Sequence, residues 1–273
     1  MTRPHPREPR SGPGTDLLSG ASQGQNGSFR WWVAAGVPFG VLALSQIAIP
    51  LTSHDATIEW LSTLVVVAFA ATTFVLTAGH WGVGRAGIAA GFVIAATLGV
   101  EHLGSTTGFP FGDYDYTGAL EPTVAGVPAI VPLAWFAMGV PALEVGHRIG
   151  RTRLAAVAAG ALALTAWDLF LDPQMVDNGY WEWAVDGFYD GIPLSNYAGW
   201  IGVSVVVLGV LDRIRPAGLA PDLAAVALYT WWAVMNTIGF LVFFGEPLVG
   251  LVGGLGMGTI AGLAWWNQDR TRG

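Results

Sequence analysis

Three carboxylates stand where an apolar chain gives them little polar company. Glu101, followed at once by His102, falls near the end of one hydrophobic run; Asp168 and Asp172 close another, and their i, i+4 spacing puts both on one helix face. Ionisable groups at membrane depth are costly and default to functional candidates. A carboxylic acid kept neutral by burial can donate a proton, and a second carboxylate can orient and deprotonate a water. Asp168 lies about 6 Å deeper than Asp172 at 1.5 Å per residue, which makes it the expected donor, with Glu101 or Asp172 as the base. For Asp172 a plainer role, capping or hydrogen-bonding the following turn, stands beside that reading. Thr165 extends the polar face three residues before Asp168, and Pro173 is expected to stop the helix.

The surroundings add aromatic surface. Between Glu101 and Trp200 lie eleven of the chain's nineteen acids, threaded with Trp, Tyr, Gly and Pro. Phe109-Pro110-Phe111-Gly112-Asp113-Tyr114-Asp115-Tyr116 and Trp181-Glu182-Trp183 alternate aromatics with acids, which an ordinary interfacial belt does not require. Asp113, Asp115, Asp177, Glu182, Asp186 and Asp190 are read as solvated loop charges. Glu144 and His147, at i and i+3, are read as a solvated helix end complemented by nearby arginines. Tyr229, Trp232 and Asn236 fall at i, i+3 and i+7, a stripe expected to face inward, where Asn236 serves either a site or an interhelical hydrogen bond.

Membrane helices must position these groups. The 273-residue chain is 53% hydrophobic and 11% charged, whereas a soluble globule carries about 25% charged residues. Apolar runs of the ~20 residues needed to cross a ~30 Å hydrocarbon core occur at 31–50, 59–78, 86–104, 126–147, 154–172, 192–211, 222–244 and 247–266. They predict an all-α, polytopic bundle of about eight transmembrane helices, integral to the cell membrane.

The arginines test that count. Arg3, Arg7, Arg10 and Arg30 precede the first run, Arg85 follows the second, Arg148, Arg151 and Arg153 the fourth, Arg213 and Arg215 the sixth, and Arg270 and Arg272 the eighth. All fall on one side, so the positive-inside rule makes that side, and both termini, cytoplasmic. Residues 1–30, rich in Gly, Pro, Ser and Arg, read as a disordered cytoplasmic tail, 31–266 as the transmembrane catalytic domain and 267–273 as a short cytoplasmic tail. No cleavable signal peptide is expected.

Several chemistries drop out. Without Cys there are no disulfides, thiolate metal sites or cysteine nucleophiles. Without Lys there is no retinal Schiff base. Five scattered His do not furnish the clustered ligands of a membrane di-iron oxygenase, and no metal is expected. A net charge of −7 carried against arginine alone suits a halophile.

The most specific pieces are Glu-x-x-Gly-x-x-x-Gly-x-Pro-Phe-Gly-x-Tyr at 101–114, Gly-Val-Pro at 126–128 with Trp135, and Trp-Asp-x-x-x-Asp-Pro at 167–173. Trp181 and Trp183 with Gly-Ile-Pro-x-x-Asn-Tyr at 191–197 complete the set. Through them the chain, from about residue 35 to 266, resembles the carotenoid biosynthesis protein family that includes the haloarchaeal bisanhydrobacterioruberin hydratases and the bacterial CruF-type carotenoid hydratases. The resemblance implies a hydro-lyase that adds water to the terminal carbon–carbon double bonds of a long acyclic carotenoid, giving tertiary alcohols. In haloarchaea that converts bisanhydrobacterioruberin to bacterioruberin.

Such a reaction needs a proton donor, tolerance of a tertiary carbocation and a water, and no cofactor. Asp168 is then the donor, and the π faces of Trp135, Trp167 and Phe170 stabilise the cation by ~1–2 kcal/mol each when desolvated. Tyr114, Asn196, Trp232 and Asn236 complete the expected substrate-binding set. The ridge Gly250, Gly254, Gly258 and Gly262 suits close helix packing or a flat polyene. Expected partners are the carotenoid, water, membrane lipid and other enzymes of the same pathway, with no nucleic acid.

One site acting on a two-ended substrate implies a mono-hydrated intermediate. The rivals are a prenyltransferase holding magnesium on paired aspartates, though the acid-rich side offers no Arg or Lys for a diphosphate, and a carotenoid cyclase, whose product keeps the substrate's mass. Outside catalysis stand a carotenoid-binding membrane protein and a proton-coupled transporter, for which no inverted repeat is evident.

Overall fold

The computed structural model describes residues 15–267. Among the described residues eight helices are long and apolar enough to cross a membrane, as predicted: α1 (Thr15–Ala48), α2 (Asp55–Trp81), α3 (Val83–Thr107), α4 (Ile130–Ile149), α5 (Arg153–Asp177), α6 (Leu194–Ile214), α7 (Leu223–Ile238) and α8 (Pro247–Trp266). A 3-10 turn, Ile49–Leu51, finishes α1, and a π-helical turn, Gly239–Phe243, finishes α7. Helix α1 runs back to Thr15, into the segment expected to be disordered, although its membrane-length part begins at Arg30. Extending a helix that an apolar run has already nucleated costs little per added residue. The rest of that tail, and residues 268–273, lie outside the described residues.

Helix α4 is the axis of the bundle. Of its span 78% is buried, against 61% for α5 and 17% for α1, and it touches α2, α3, α5, α6, α7 and α8. Small residues make this closeness feasible: a Cβ added at Gly146 of α4 would collide with the Ala156 carbonyl oxygen of α5, so the two backbones meet without intervening side chains.

Two prolines sit inside these central helices, and each frees a carbonyl four residues back. The Ala137 carbonyl, freed by Pro141, accepts from Thr73 Oγ1 at 2.8 Å. The Leu169 carbonyl, freed by Pro173, accepts from Tyr189 Oη at 3.0 Å. Pro173 therefore does not stop α5, contrary to expectation. The helix continues to Asp177 because a neighbouring hydroxyl meets the orphaned acceptor.

The two ends of the bundle differ. One carries the described arginines and a buried polar clamp. Glu144, expected to be solvated, is fully buried; it accepts from Arg215 Nε at 3.0 Å and Nη2 at 3.2 Å, from Trp81 Nε1 at 3.1 Å and from the Asp222 backbone N–H at 3.0 Å. His147, read as the same solvated end, meets Asp212 at 2.8 Å, and Asp212 also accepts from Arg153 Nε at 2.7 Å. The i, i+3 reading failed because the partners come from α2, α6 and the loop after α6, far along the chain.

At the other end lie the two long loops. Strand β1 (Tyr114–Tyr116) pairs antiparallel with β4 (Trp181–Trp183), matching Tyr114 to Trp183, Asp115 to Glu182 and Tyr116 to Trp181. A small hairpin, β2 (Thr123–Val124) and β3 (Val127–Pro128), precedes α4 and occupies the start of the run expected to be helical from 126.

Candidate functional site

The 101–114 motif is a helix end folded back on itself. Gly108 takes a left-handed conformation (φ 75°) and closes α3. The chain then returns so that Phe111 and Tyr114 lie against Gly104, where an added Cβ would come within 2.9 Å of both. Only that close approach lets Tyr114 Oη donate to Glu101 Oε2 at 2.7 Å. Tyr116 Oη donates to the same oxygen at 2.9 Å, and Trp135 Nε1, from α4, donates to Oε1 at 2.9 Å. Glu101 is thus buried with three side-chain donors, while its neighbour His102 points outward and donates from Nδ1 to the Ala125 carbonyl at 2.9 Å. Burial, and after it the Glu101 carboxylate, pushes the Tyr114 and Tyr116 phenols above their ordinary range, so both remain donors.

The second centre stands on α5 and α6. Asp168 and Asp172 are both buried, one turn apart, and the Asn196 amide from the first turn of α6 bridges them. It donates to Asp168 Oδ2 at 2.8 Å and to Asp172 Oδ2 through a short contact. Asp172 Oδ1 accepts from Trp181 Nε1 at 2.9 Å, whereas Asp168 Oδ1 has no partner among the described residues. Nor does any cation among the described residues pair with either aspartate. The nearest arginine on their own helix, Arg153, is fifteen residues from Asp168, about 22 Å at 1.5 Å per residue, and is engaged with Asp212. Asp172 was expected to cap or hydrogen-bond the following turn; its indole partner lies beyond that turn, in β4.

Between the centres a cavity of about 230 Å³ is walled by Glu101, Asp172, Asn196 and aromatic rings. Trp135 and Trp200 stack at 4.0 Å with planes 11° apart, and Trp167 stands edge-on to Trp200 and Trp232 at 6.3 and 6.0 Å. Trp167, Trp183 and Trp232 line this space, and their indole nitrogens are buried without partners among the described residues.

The β1–β4 ribbon is the roof. Strand alternation turns Tyr114, Tyr116, Trp181 and Trp183 toward the cavity and Asp115 and Glu182 to the outside, which accounts for the alternating acids and aromatics. Asp113, Asp177, Asp186 and Asp190 are also exposed.

The structure brings together most of the expected residues. Glu101, Asp172, Tyr114, Trp135, Trp167, Asn196, Trp232 and Asn236 line the cavity. Two expected residues do not. Asp168 sits behind Asp172 and Asn196, and Phe170 points the other way, stacking on Phe240 at 5.5 Å and filling the space over Gly253. At i+2 from Asp168, Phe170 belongs to a different helix face. Trp200, Tyr116 and Trp181 were missed as site residues. Trp200 follows Asn196 by four residues and was findable from that spacing, and Tyr116 follows Tyr114 by two in an alternating strand.

Of the glycine ridge, Gly254 packs on Thr237, where an added Cβ would lie 2.8 Å from Oγ1, and Gly250 packs on Leu241. Gly258 and Gly262 meet nothing within 4 Å. Packing thus explains half the ridge.

Fold and site together define a polytopic helical membrane protein with buried acids and a tryptophan cage under an aromatic roof. The sequence profile described as "Carotenoid biosynthesis protein" matches residues 60–263, and the chain belongs to that family. The bisanhydrobacterioruberin hydratase of Haloarcula japonica is 31% identical over 200 residues, which cover 67% of this chain and 64% of the relative. The match thus spans just under two thirds of that relative's length. No solved structure matches the chain.

Proposed function

We propose that the protein is a carotenoid hydratase that adds water across a terminal carbon–carbon double bond of a long acyclic carotenoid, of which bisanhydrobacterioruberin is the expected example. The observation that carries this reading is the Asp168–Asn196–Asp172 bridge. Two buried carboxylates sharing one amide, with no described cation paired to them, retain a proton between them, because two unpaired buried charges would cost several kcal/mol.

Asp172 lines the cavity and Asp168 does not, so Asp172 delivers the proton and Asp168 positions it from behind. This exchanges the roles expected from depth along the helix. The proton adds to the less substituted alkene carbon, and the two π electrons form the new C–H bond. The tertiary cation left behind lies among the faces of Trp135, Trp200 and Trp167, each contributing ~1–2 kcal/mol when desolvated. Water supplies the electron pair of the new C–O bond and gives its proton to Glu101, which returns it to the aspartate pair through water before the next turnover.

The oxygens of Glu101 and Asp172 are occupied by N–H and O–H donors, an arrangement suited to proton chemistry more than to magnesium ligation.

The test is to express the chain in cells that accumulate an acyclic carotenoid with terminal isopropylidene groups and to weigh the pigment. Hydration appears as a gain of one or two waters. A product of unchanged mass but altered chromatographic mobility would point to cyclisation instead, and unchanged pigment with the protein present in the membrane would count against enzymatic action.

A further inference from the structure

The cavity is closed above by the ribbon and below by the tryptophan cage, which leaves its sides. Of the residues that line it, four have exposed side chains: Ile47 (45%), Leu51 (72%), Ile238 (44%) and Phe243 (51%). They are not scattered. Ile47 and Leu51 belong to the end of α1 and its 3-10 turn, and Ile238 and Phe243 to the end of α7 and its π-helical turn. These are the ends of two membrane-length helices, and all four residues are apolar, which suits this flank to hydrocarbon rather than water.

One level nearer the arginine end the same two helices are joined. Trp231 Nε1 donates to Gln46 Oε1 at 2.7 Å, and Phe39 meets Trp231 edge-on at 5.2 Å. That contact is a sill, and above it exposed residues of both helix ends line the cavity. π-Helical turns inside α-helices recur at functional sites because they displace the chain locally.

We infer that the gap between the α1 end and the α7 π-turn is the lateral mouth through which a long apolar polyene reaches the site from the bilayer, with its end group inside and its length outside. This rests on the hydratase reading above. The size of the cavity demands it: at ~15 Å³ of such volume for one water-sized group, about 230 Å³ holds an end group and its first few double bonds. A chain long enough to cross the ~30 Å hydrocarbon core cannot fit. The protein therefore reads the end of its substrate and is indifferent to overall length, and each hydration requires one end to be threaded through the mouth.

The chain has no cysteine, so Leu51→Cys, Ile238→Cys and, on the lipid face of α6, Val206→Cys can each be labelled in the full-length protein with a bulky maleimide. The reconstituted protein is mixed with vesicles carrying lycopene, and quenching of tryptophan emission is followed before and after labelling of the same variant, with hydration scored in parallel. Adducts at Leu51→Cys and Ile238→Cys are expected to slow quenching about tenfold or more, because association must pass the mouth, while the Val206→Cys adduct leaves the rate within about twofold. If both mouth adducts quench at the unlabelled rate while wild type also hydrates, the mouth is refuted and the function stands. Quenching that depends on the mouth without hydration by wild type refutes the hydratase reading and keeps the mouth. Wild type that shows no quenching refutes the polyene as occupant.

Discussion

Asp172→Asn and Asp168→Asn separate the two aspartates by where each stands. An amide at 172 cannot donate an acidic proton to an alkene, and a general acid contributes about 10²–10⁴ in rate, or about 2.7–5.4 kcal/mol at 1.36 kcal/mol per tenfold. Asp172→Asn also has a structural cost: the single amide oxygen can accept from Trp181 or from Asn196 but not both, leaving one buried donor unmet at about 1–3 kcal/mol. Asp168→Asn brings no such conflict. The new amide oxygen still accepts from Asn196, and the NH₂ takes the place of Oδ1, which has no partner among the described residues. Asp168→Asn should therefore leave stability nearly unchanged and lower the rate about tenfold, by withdrawing the second carboxylate that keeps a proton on the pair. The assay is the early rate of water addition to an acyclic carotenoid by pigment mass spectrometry, normalised to folded protein in the membrane. A smaller loss for Asp172→Asn than for Asp168→Asn would refute the argument from cavity lining and restore Asp168 as the donor.

At the arginine end, Arg215→Leu leaves Glu144 buried without its guanidinium and should cost about 3–5 kcal/mol, read as a lowered thermal midpoint in detergent; Glu144→Leu/Arg215→Leu should recover part of it, and no recovery would disprove the clamp. The Tyr114 and Tyr116 phenols ionise in the fold only above their unfolded value of about 10. The stability this contributes is complete below about pH 10 and is lost as pH rises beyond it, so tyrosinate absorbance should grow together with unfolding, and early ionisation of both phenols in intact protein would contradict their burial. Because a single mouth serves both substrate ends, a mono-hydrated carotenoid should precede the di-hydrated one in any time course, and its absence at low conversion would require two sites or processive action.

The eight spans and the segregation of arginines were legible because lipid imposes a length and a charge rule that act locally on sequence. Glu101 and Asp172 were legible for the same reason, as costly groups beside apolar runs. What stayed hidden depended on residues far apart in the chain. Pro173 looked like a terminator because Tyr189, which satisfies the freed carbonyl, comes sixteen residues later. Glu144 looked solvated because Arg215 lies 71 residues on. Depth along a helix says nothing about which face meets the cavity, which Asp172 lines and Asp168 does not, and Asn196, which bridges the two, belongs to another helix.

The outer face of the roof carries a consequence for the solvent this protein needs. Asp115 and Glu182 are exposed and directly opposite each other in a ribbon only three residues long on each side, and like charges placed so are repulsive. The repulsion acts over ~10 Å in 0.1 M salt but only ~3 Å at 1 M, so concentrated salt strengthens the pairing that dilute buffer strains. Tyr116 and Trp181 meet edge-on at 5.9 Å beneath those two acids, and near-ultraviolet circular dichroism should show this ring contact tightening with ionic strength in wild type and losing its salt dependence in Glu182→Gln. A signal indifferent to salt in wild type would dismiss the effect. The counter-ions of a saline medium would then act as part of the roof, holding shut from outside what the aromatic rings close from within.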